Sequence, residues 1–121
     1  MQTRDTGDLV FFAGHAPEFS EEPTAAERCV RGQPLQRTWH HYTSDDQKFF
    51  SGVWEAEPGC WKIRYTEHEF CRILAGRSIL RDEAGNEREL RAGDDFVIPA
   101  GFAGEWEVVE TTRKIYVIYQ P

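Results

Sequence analysis

Apolar and polar residues alternate in short runs along most of this chain, and Gly, Pro, Asn or Asp closes nearly every run. Period-two alternation is the mark of a half-buried strand, because successive side chains point to opposite faces of a sheet. Read this way, the sequence predicts strands at 9–12, 37–43, 48–55, 60–66, 69–75, 77–82, 87–90, 96–98, 105–109 and 114–119. Glu57-Pro58-Gly59 reads as a turn, with Pro fixing φ and Gly free to become left-handed, and Asp82-Glu83-Ala84-Gly85-Asn86 reads as a hairpin tip. Ala92-Gly93-Asp94 and Pro99-Ala100-Gly101 punctuate the strands that follow. Helix is almost absent from the pattern. Thr24-Ala25-Ala26-Glu27, after Pro23, reads as a capping box over one helical turn, and Arg28-Cys29-Val30 reads equally well as the start of an arm strand.

A succession of short strands with tight turns predicts an all-β chain folded as an antiparallel sandwich or barrel. At 121 residues the chain has the length of one domain, large enough for a core that needs no disulfide or structural metal. No repeat, linker or low-complexity tract divides it, so residues 1–29 are read as an N-terminal arm and strand region and 30–121 as the barrel. An aromatic content of 13%, with four Trp, suits the lining of such a barrel.

A net charge of -7 disfavours nucleic acid, which is held through clustered Lys and Arg. No apolar run approaches the roughly 20 residues that span a bilayer, so no membrane segment is expected. The three cysteines, Cys29, Cys60 and Cys71, show no C-x-x-C spacing, and Met1-Gln2-Thr3-Arg4-Asp5 has no apolar stretch of the kind a signal peptide needs. The expected compartment is the reducing cytoplasm, and the expected partner is a small molecule.

Two spacings carry a family resemblance. Gly93, five residues, Pro99, one residue and Gly101 resembles the second motif of the cupin family, and Glu69, six residues and Gly76 resembles the end of its first motif. More narrowly, Gly52-Val53-Trp54-Glu55-Ala56, Gly59-Cys60-Trp61, Glu69-Phe70-Cys71 and Gly101-Phe102-Ala103-Gly104-Glu105-Trp106 are similar to small single-domain cupins related to the cupin domain of ureidoglycine aminohydrolase. The likeness runs from about residue 30 to residue 119. It implies the cupin double-stranded β-helix, a jelly-roll barrel, whose two motifs line one open end where cupins hold a metal with three His and one Glu. It also implies a homodimer through the N-terminal strands and an outer sheet face, which agrees with the need of an open sheet to cover its long edges.

The chain departs from that ligand set at three positions of four. Counting back from Glu69, the shorter spacing puts the paired histidines at Ile63 and Tyr65 and the longer one at Lys62 and Arg64; counting forward from Gly101, the third falls on Gly104. Only Glu69 remains. One carboxylate holds a divalent transition metal too weakly for a resident cofactor, so none is expected. The fallback set for a weakly held divalent ion is Glu67, His68 and Glu69, although Glu67 and Glu69 share a face and His68 points the other way unless a bulge re-aims it.

Glu69 is the leading catalytic candidate, since a carboxylate inside an aromatic barrel is desolvated and suited to act as a base; the alternative is a structural carboxylate held by a cation or backbone amide. Tyr65 shares its parity and offers a hydroxyl to orient a substrate, or is a core tyrosine with its hydroxyl at the rim. Trp54, Trp61 and Trp106 make walls for a planar group or simply fill the barrel. Lys114 and Tyr116 share one face of the last strand. If that face is inward, Lys114 pairs with Glu69 across the barrel; if outward, both are surface residues. Arg64 stands where it would grip a carboxylate bidentately or decorate the outside, as Arg72 and Arg77 do. His40 and His41 are read as structural, with at most one of them inside, and Cys71 as a small buried hydrophobe.

Two functional classes fit these residues. One is an enzyme without a tightly held metal that moves a proton on a small polar, ureide or amino-acid-like metabolite, with Glu69 as base and Tyr65 as orienting group. The other is a non-catalytic module that binds or senses such a ligand between the tryptophans. A raised Glu69 pKa would favour the first, and firm pairing with Lys114 the second.

Overall fold

The computed structural model describes residues 8–121, so the N-terminal stretch read above for a targeting signal, 1–5, lies outside the described residues. The strands are β1 (Glu18–Pro23), β2 (Cys29–Arg31), β3 (Leu35–Thr43), β4 (Phe49–Ala56), β5 (Gly59–Arg64), β6 (His68–Asp82), β7 (Glu87–Arg91), β8 (Asp95–Ile98) and β9 (Ala103–Tyr119), all paired antiparallel in one curled sheet. Among the described residues the only helical segment is a single 3-10 turn, Ala26–Arg28. No helix among the described residues is long and apolar enough to cross a membrane.

β9 is the spine. Its C-terminal half pairs with β4 and its N-terminal half with β5, while β6 runs alongside its whole length and carries β7 and β8 on its far side. Alternation then assigns the interior. The even positions of β9 from Trp106 to Ile118 face inward apart from exposed Glu110, and so do Glu69, Cys71 and Ile73 of β6. Beyond a bulge at Gly76 the inward positions of β6 become even, with Ser78 fully buried and Leu80 against the core. A one-residue shift flips every later side chain, so this bulge is what lets one continuous strand serve two halves of the barrel. Gly76 is suited to it: φ is +87°, and an added Cβ would fall onto the Thr111 carbonyl. The core is an aromatic and aliphatic cluster that includes Trp61, Ile73, Ile98, Trp106 and Val108.

The all-β expectation holds, and several details of it change. The pairs predicted at 69–75 and 77–82, and at 105–109 and 114–119, are single long strands, because the residues read as breaks sit in bulges within unbroken ladders. Residues 9–12 form no strand; Phe12 instead stacks on His41 at 4.1 Å. A 3-10 turn over 26–28 is followed at once by β2, but the capping box does not form: the N-cap is Ala25 without a side-chain cap, and Thr24 donates its hydroxyl to the Pro34 carbonyl instead. β1 escapes the sequence pattern because it is an edge strand with every residue exposed, so nothing in it alternates. The arm is built into the sheet through β1 on β3 and β2 on β5, and the 29/30 boundary falls inside β2.

Candidate functional site

Lateral rows of inward side chains build the site. Thr38, Trp54, Lys114 and Ile73 are successive partners across β3, β4, β9 and β6; His40, Gly52, Tyr116 and Cys71 form the next row; Phe50, Ile118 and Glu69 the one after. These rows, with Trp61, Ile63 and Tyr65 from β5 and the turn after it, enclose a cavity of about 370 Å3.

At its floor Lys114 Nζ lies 3.0 Å from Glu69 Oε2, with both side chains about 5% exposed. Tyr65 donates its hydroxyl to the other carboxylate oxygen, Oε1, at 2.6 Å. The ammonium sits over two indoles, 4.6 Å from the Trp54 ring and 4.5 Å from Trp106. An ammonium stripped of water gains from each such ring face by about 0.5–2 kcal/mol. Lys114 and Glu69 are therefore paired as the sequence suggested, along neighbouring strands and two rows apart instead of across the barrel.

Burial opposes the charged form of Lys114, and the facing Cys71 and Glu69 outweigh it, so the ammonium titrates above the ordinary lysine value. Burial first, and then the Glu69 carboxylate, push the Tyr65 phenol well above its usual range. The same two causes take Tyr116 up to about 12. Burial pushes the Cys71 thiol up to about 12 against the pull of Lys114, which makes it an inert core group and no nucleophile.

The walls are held by two relays. The Trp54 indole donates to Gln36 Oε1 at 3.0 Å, Gln36 Nε2 donates to Thr24 Oγ1 at 2.9 Å, and Thr24 donates to the Pro34 carbonyl at 2.8 Å. The Trp106 indole donates to Ser78 Oγ at 3.1 Å. Thr112 spends its proton on the Glu110 carbonyl, so Ser78 is the donor in the 2.7 Å contact with Thr112. Tyr116 Oη meets His40 Nδ1 at 2.6 Å, and His40 Nε2 meets Thr43 Oγ1 at 2.6 Å. Tyr116 reaches His40 by crossing Gly52, where an added Cβ would sit 2.5 Å from its hydroxyl.

Of the sequence candidates, Glu69, Tyr65, Trp54, Trp61, Trp106, Lys114 and Tyr116 come together here. Arg64 does not: it is exposed and lines an outer groove with Arg28 and Lys62, because Ile63 and Tyr65 take the inward parity. Arg72 and Arg77 lie outside, paired with Asp95 and Glu89. His41 is outward, and His40, read only as structural, is a cavity wall together with Gln36, Thr38 and Phe50. The alternation of Thr38 and His40 along β3 was visible, but nothing in the sequence said which parity faced in.

The metal implied by the cupin resemblance does not fit these residues. The shorter-spacing positions that face inward hold Ile63 and Tyr65, and the one surviving carboxylate is already held by an ammonium. At Gly104 an added Cβ would fall onto the Arg81 carbonyl, so no side chain is accommodated there. The fallback set is likewise not assembled. Glu67 and Glu69 share the cavity, but His68 is exposed, accepts the Ala100 N–H on Nδ1 at 3.1 Å and stacks on Tyr119. Among the described residues no group of three or more His, Cys, Asp or Glu converges as a ligand set.

The family model for the EutQ-like cupin domain matches residues 43–116, more than half of the chain. Among solved structures the chain is similar to the Clostridium difficile EutQ protein, with TM-score 0.65, 19% identity and coverage of 72% of this chain and 64% of that one. It is also similar to a Pseudomonas syringae protein of unknown function, with TM-score 0.75, 20% identity and coverage of 84% and 44% respectively. Ectoine synthase from P. lautus aligns with TM-score 0.62 at 11% identity, covering 71% of this chain and 64% of the enzyme. This chain thus spans less than two thirds of each of these relatives, and at such identities the likeness is one of fold. No curated protein matches the sequence.

Two outcomes follow from the floor of the cavity. Lys114→Met leaves Glu69 as an unpaired buried charge and is expected to cost about 3–5 kcal/mol of unfolding free energy, much of it recovered in the Glu69→Gln/Lys114→Met double variant. Urea unfolding of the four proteins measures this, and additive losses would show that the pair is not coupled. The second concerns pH. Cys71, Tyr65, Tyr116 and Lys114 all keep their protons in the fold to higher pH than in the unfolded chain. Their contribution is complete below the unfolded values, which begin at about 8.5 for Cys and about 10 for Tyr and Lys, and is lost as pH rises through the folded ones. Burial and the Glu105 and Glu107 carboxylates raise the Cys60 thiol as well, so the urea midpoint is expected to fall steadily from about pH 9 upward and the Cys60→Ala/Cys71→Ala double variant to delay the onset to about pH 10; a midpoint flat to pH 11 would contradict this.

Proposed function

Because the chain belongs to the EutQ-like cupin domain family, we propose that its barrel binds a small polar metabolite in the cavity above Tyr65, Glu69 and Lys114 and works without a resident metal. The observation that carries this reading is the convergence of a half-buried phenol with an almost completely buried carboxylate and ammonium at the floor of an aromatic-walled cavity of about 370 Å3. Polar groups placed at the bottom of an apolar cleft are the usual means of fixing a small ligand's orientation.

Anchoring fits the geometry better than base catalysis by Glu69. Both of its oxygens are engaged, one by the Tyr65 hydroxyl and the other by Lys114, so neither is free to take a proton without breaking a charge-assisted bond. A proton-transfer enzyme is the second reading, supported by the short Tyr65–Glu69 contact, which holds a proton at the cavity floor. The narrower likeness of Glu69-Phe70-Cys71 and Gly101 to Trp106 to the cupin domain of ureidoglycine aminohydrolase supports a ureide or amino-acid-like ligand. The site would act in the cytoplasm, as the unpaired cysteines suggest.

Calorimetric titration of chelator-treated protein with a panel of ureides and amino acids is expected to find a stoichiometric binder whose affinity drops at least about tenfold in Glu69→Gln, the worth of one charge-assisted hydrogen bond. Binding that appears only after a divalent ion is added would overturn the metal-free reading. We further propose a homodimer through the outer face of β1, β3, β4 and β9. There Phe19, Trp39, Val53 and Ile115 form a continuous apolar row with Phe19 53% exposed. Sedimentation equilibrium is expected to give a dimer that Phe19→Lys weakens; a monomeric parent protein at high concentration would refute it.

A further inference from the structure

Resting on the reading of the cavity as the ligand site, we infer that it selects ligands of neutral or positive net charge that present a hydrogen-bond-donating nitrogen, an amide, ureide or amine, over ligands whose net charge is negative. The ionised side chains that line it are Glu67, Glu69 and Lys114, with His40 as the one histidine. The single positive charge of Lys114 is matched by Glu69 at 3.0 Å and shielded by the Trp54 and Trp106 rings. Glu67 remains over. One of its oxygens takes the Thr66 N–H at 2.9 Å, it forms no ion pair among the described residues, and it is only half-buried on the cavity wall.

The cavity therefore carries one uncompensated negative charge. A divalent metal beside the same carboxylate would leave the floor net positive and attractive to acids; an ammonium beside it leaves the floor neutral. Substituting one cation for the other changes which ligand charge the cavity tolerates. The walls act in the same direction. Phe50, Trp61, Ile63 and Ile118 keep the local dielectric low, which strengthens repulsion between Glu67 and a bound carboxylate, and the aromatic faces favour a cation. Glu69 and Lys114, 4% and 5% exposed, have equally little surface left to offer a ligand, so the half-buried Glu67 is the charged group within its reach.

Butylamine, butyramide and butyrate share a four-carbon skeleton and differ in charge by one unit at each step, and titrating each into chelator-treated protein at pH 7.5 tests the inference. Butyrate is expected to bind at least about 30-fold more weakly than butylamine, from Coulomb repulsion across several ångströms of partly dry cavity. Glu67→Gln is expected to shrink that gap at least about fivefold while leaving butyramide within about twofold of its original affinity. Butyrate binding as tightly as butylamine, or a gap unchanged in Glu67→Gln, overturns the charge inference and leaves the cavity as a ligand site. Binding of none of the three, together with failure of the ureide and amino-acid panel, overturns the ligand-site reading and this inference with it.

Discussion

A lysine ammonium with almost no access to water governs the interior of this barrel. Isolated in such a place it would be expelled or neutralised, since the desolvation of a single buried ion costs several kcal/mol. Lys114 stays because its surroundings replace the lost hydration: a carboxylate at 3.0 Å, two indole faces at about 4.5 Å, and Cys71 beside it. Glu69 is held in turn by the Tyr65 hydroxyl, so cation, anion and proton donor form one mutually dependent unit. Each member comes from a different strand or turn, which ties β4, β6, β9 and the segment after β5 to a single arrangement.

The indoles do their part only if their planes are fixed, and that requirement explains the polar chains behind them. Trp54 passes its hydrogen bond to Gln36, Thr24 and the Pro34 carbonyl; Trp106 passes its own to Ser78, Thr112 and the Glu110 carbonyl. In both chains every donor points the same way and the last acceptor is a backbone carbonyl, so no buried polar side-chain atom of the described residues is left without a partner. A fully satisfied network of this kind specifies one geometry, whereas a partly satisfied one would cost more than an apolar core. Because Thr24 belongs to the arm, the wall of the cavity depends on residues that precede the family's matched region.

Much of this was legible in the sequence, and what was missed has a common cause. Among the described residues, period-two alternation found seven of the nine strands in whole or part, with β2 left as one of two readings of the arm, and the shared parity of Tyr65, Glu69 and Cys71, and of Lys114 and Tyr116, was correct. Alternation says which residues share a face; it does not say which face is inside. Hence His40 and His41 could not be told apart, and Lys114 stood between core and surface until its neighbour Trp54 was placed. Alternation also has nothing to say where every residue is exposed, as in β1, and it overcounts breaks where a glycine forms a bulge inside a strand, as at Gly76. Arg64 was assigned by a motif spacing when the parity of its neighbours Ile63 and Tyr65 decides the matter.

Three glycines shape the interior through the backbone, and one of them, Gly104, stands where the cupin resemblance places a ligand histidine. Gly52 is empty so that Tyr116 can cross β4 to His40, and Gly76 is left-handed where β6 changes parity. Gly104 lies against the Arg81 carbonyl where β9 pairs with Asp82 of β6. A histidine at 104 would have to push the two longest strands apart before its ring could be placed at all. Restoring one ligand therefore cannot restore a metal centre in steps: the side chain at 104, the cation at 114 and the spacing of the central strands would have to change together. That coupling gives a physical reason for the cavity to hold a lysine ammonium, and it makes the charge left over on Glu67 the feature on which the proposed ligand preference rests.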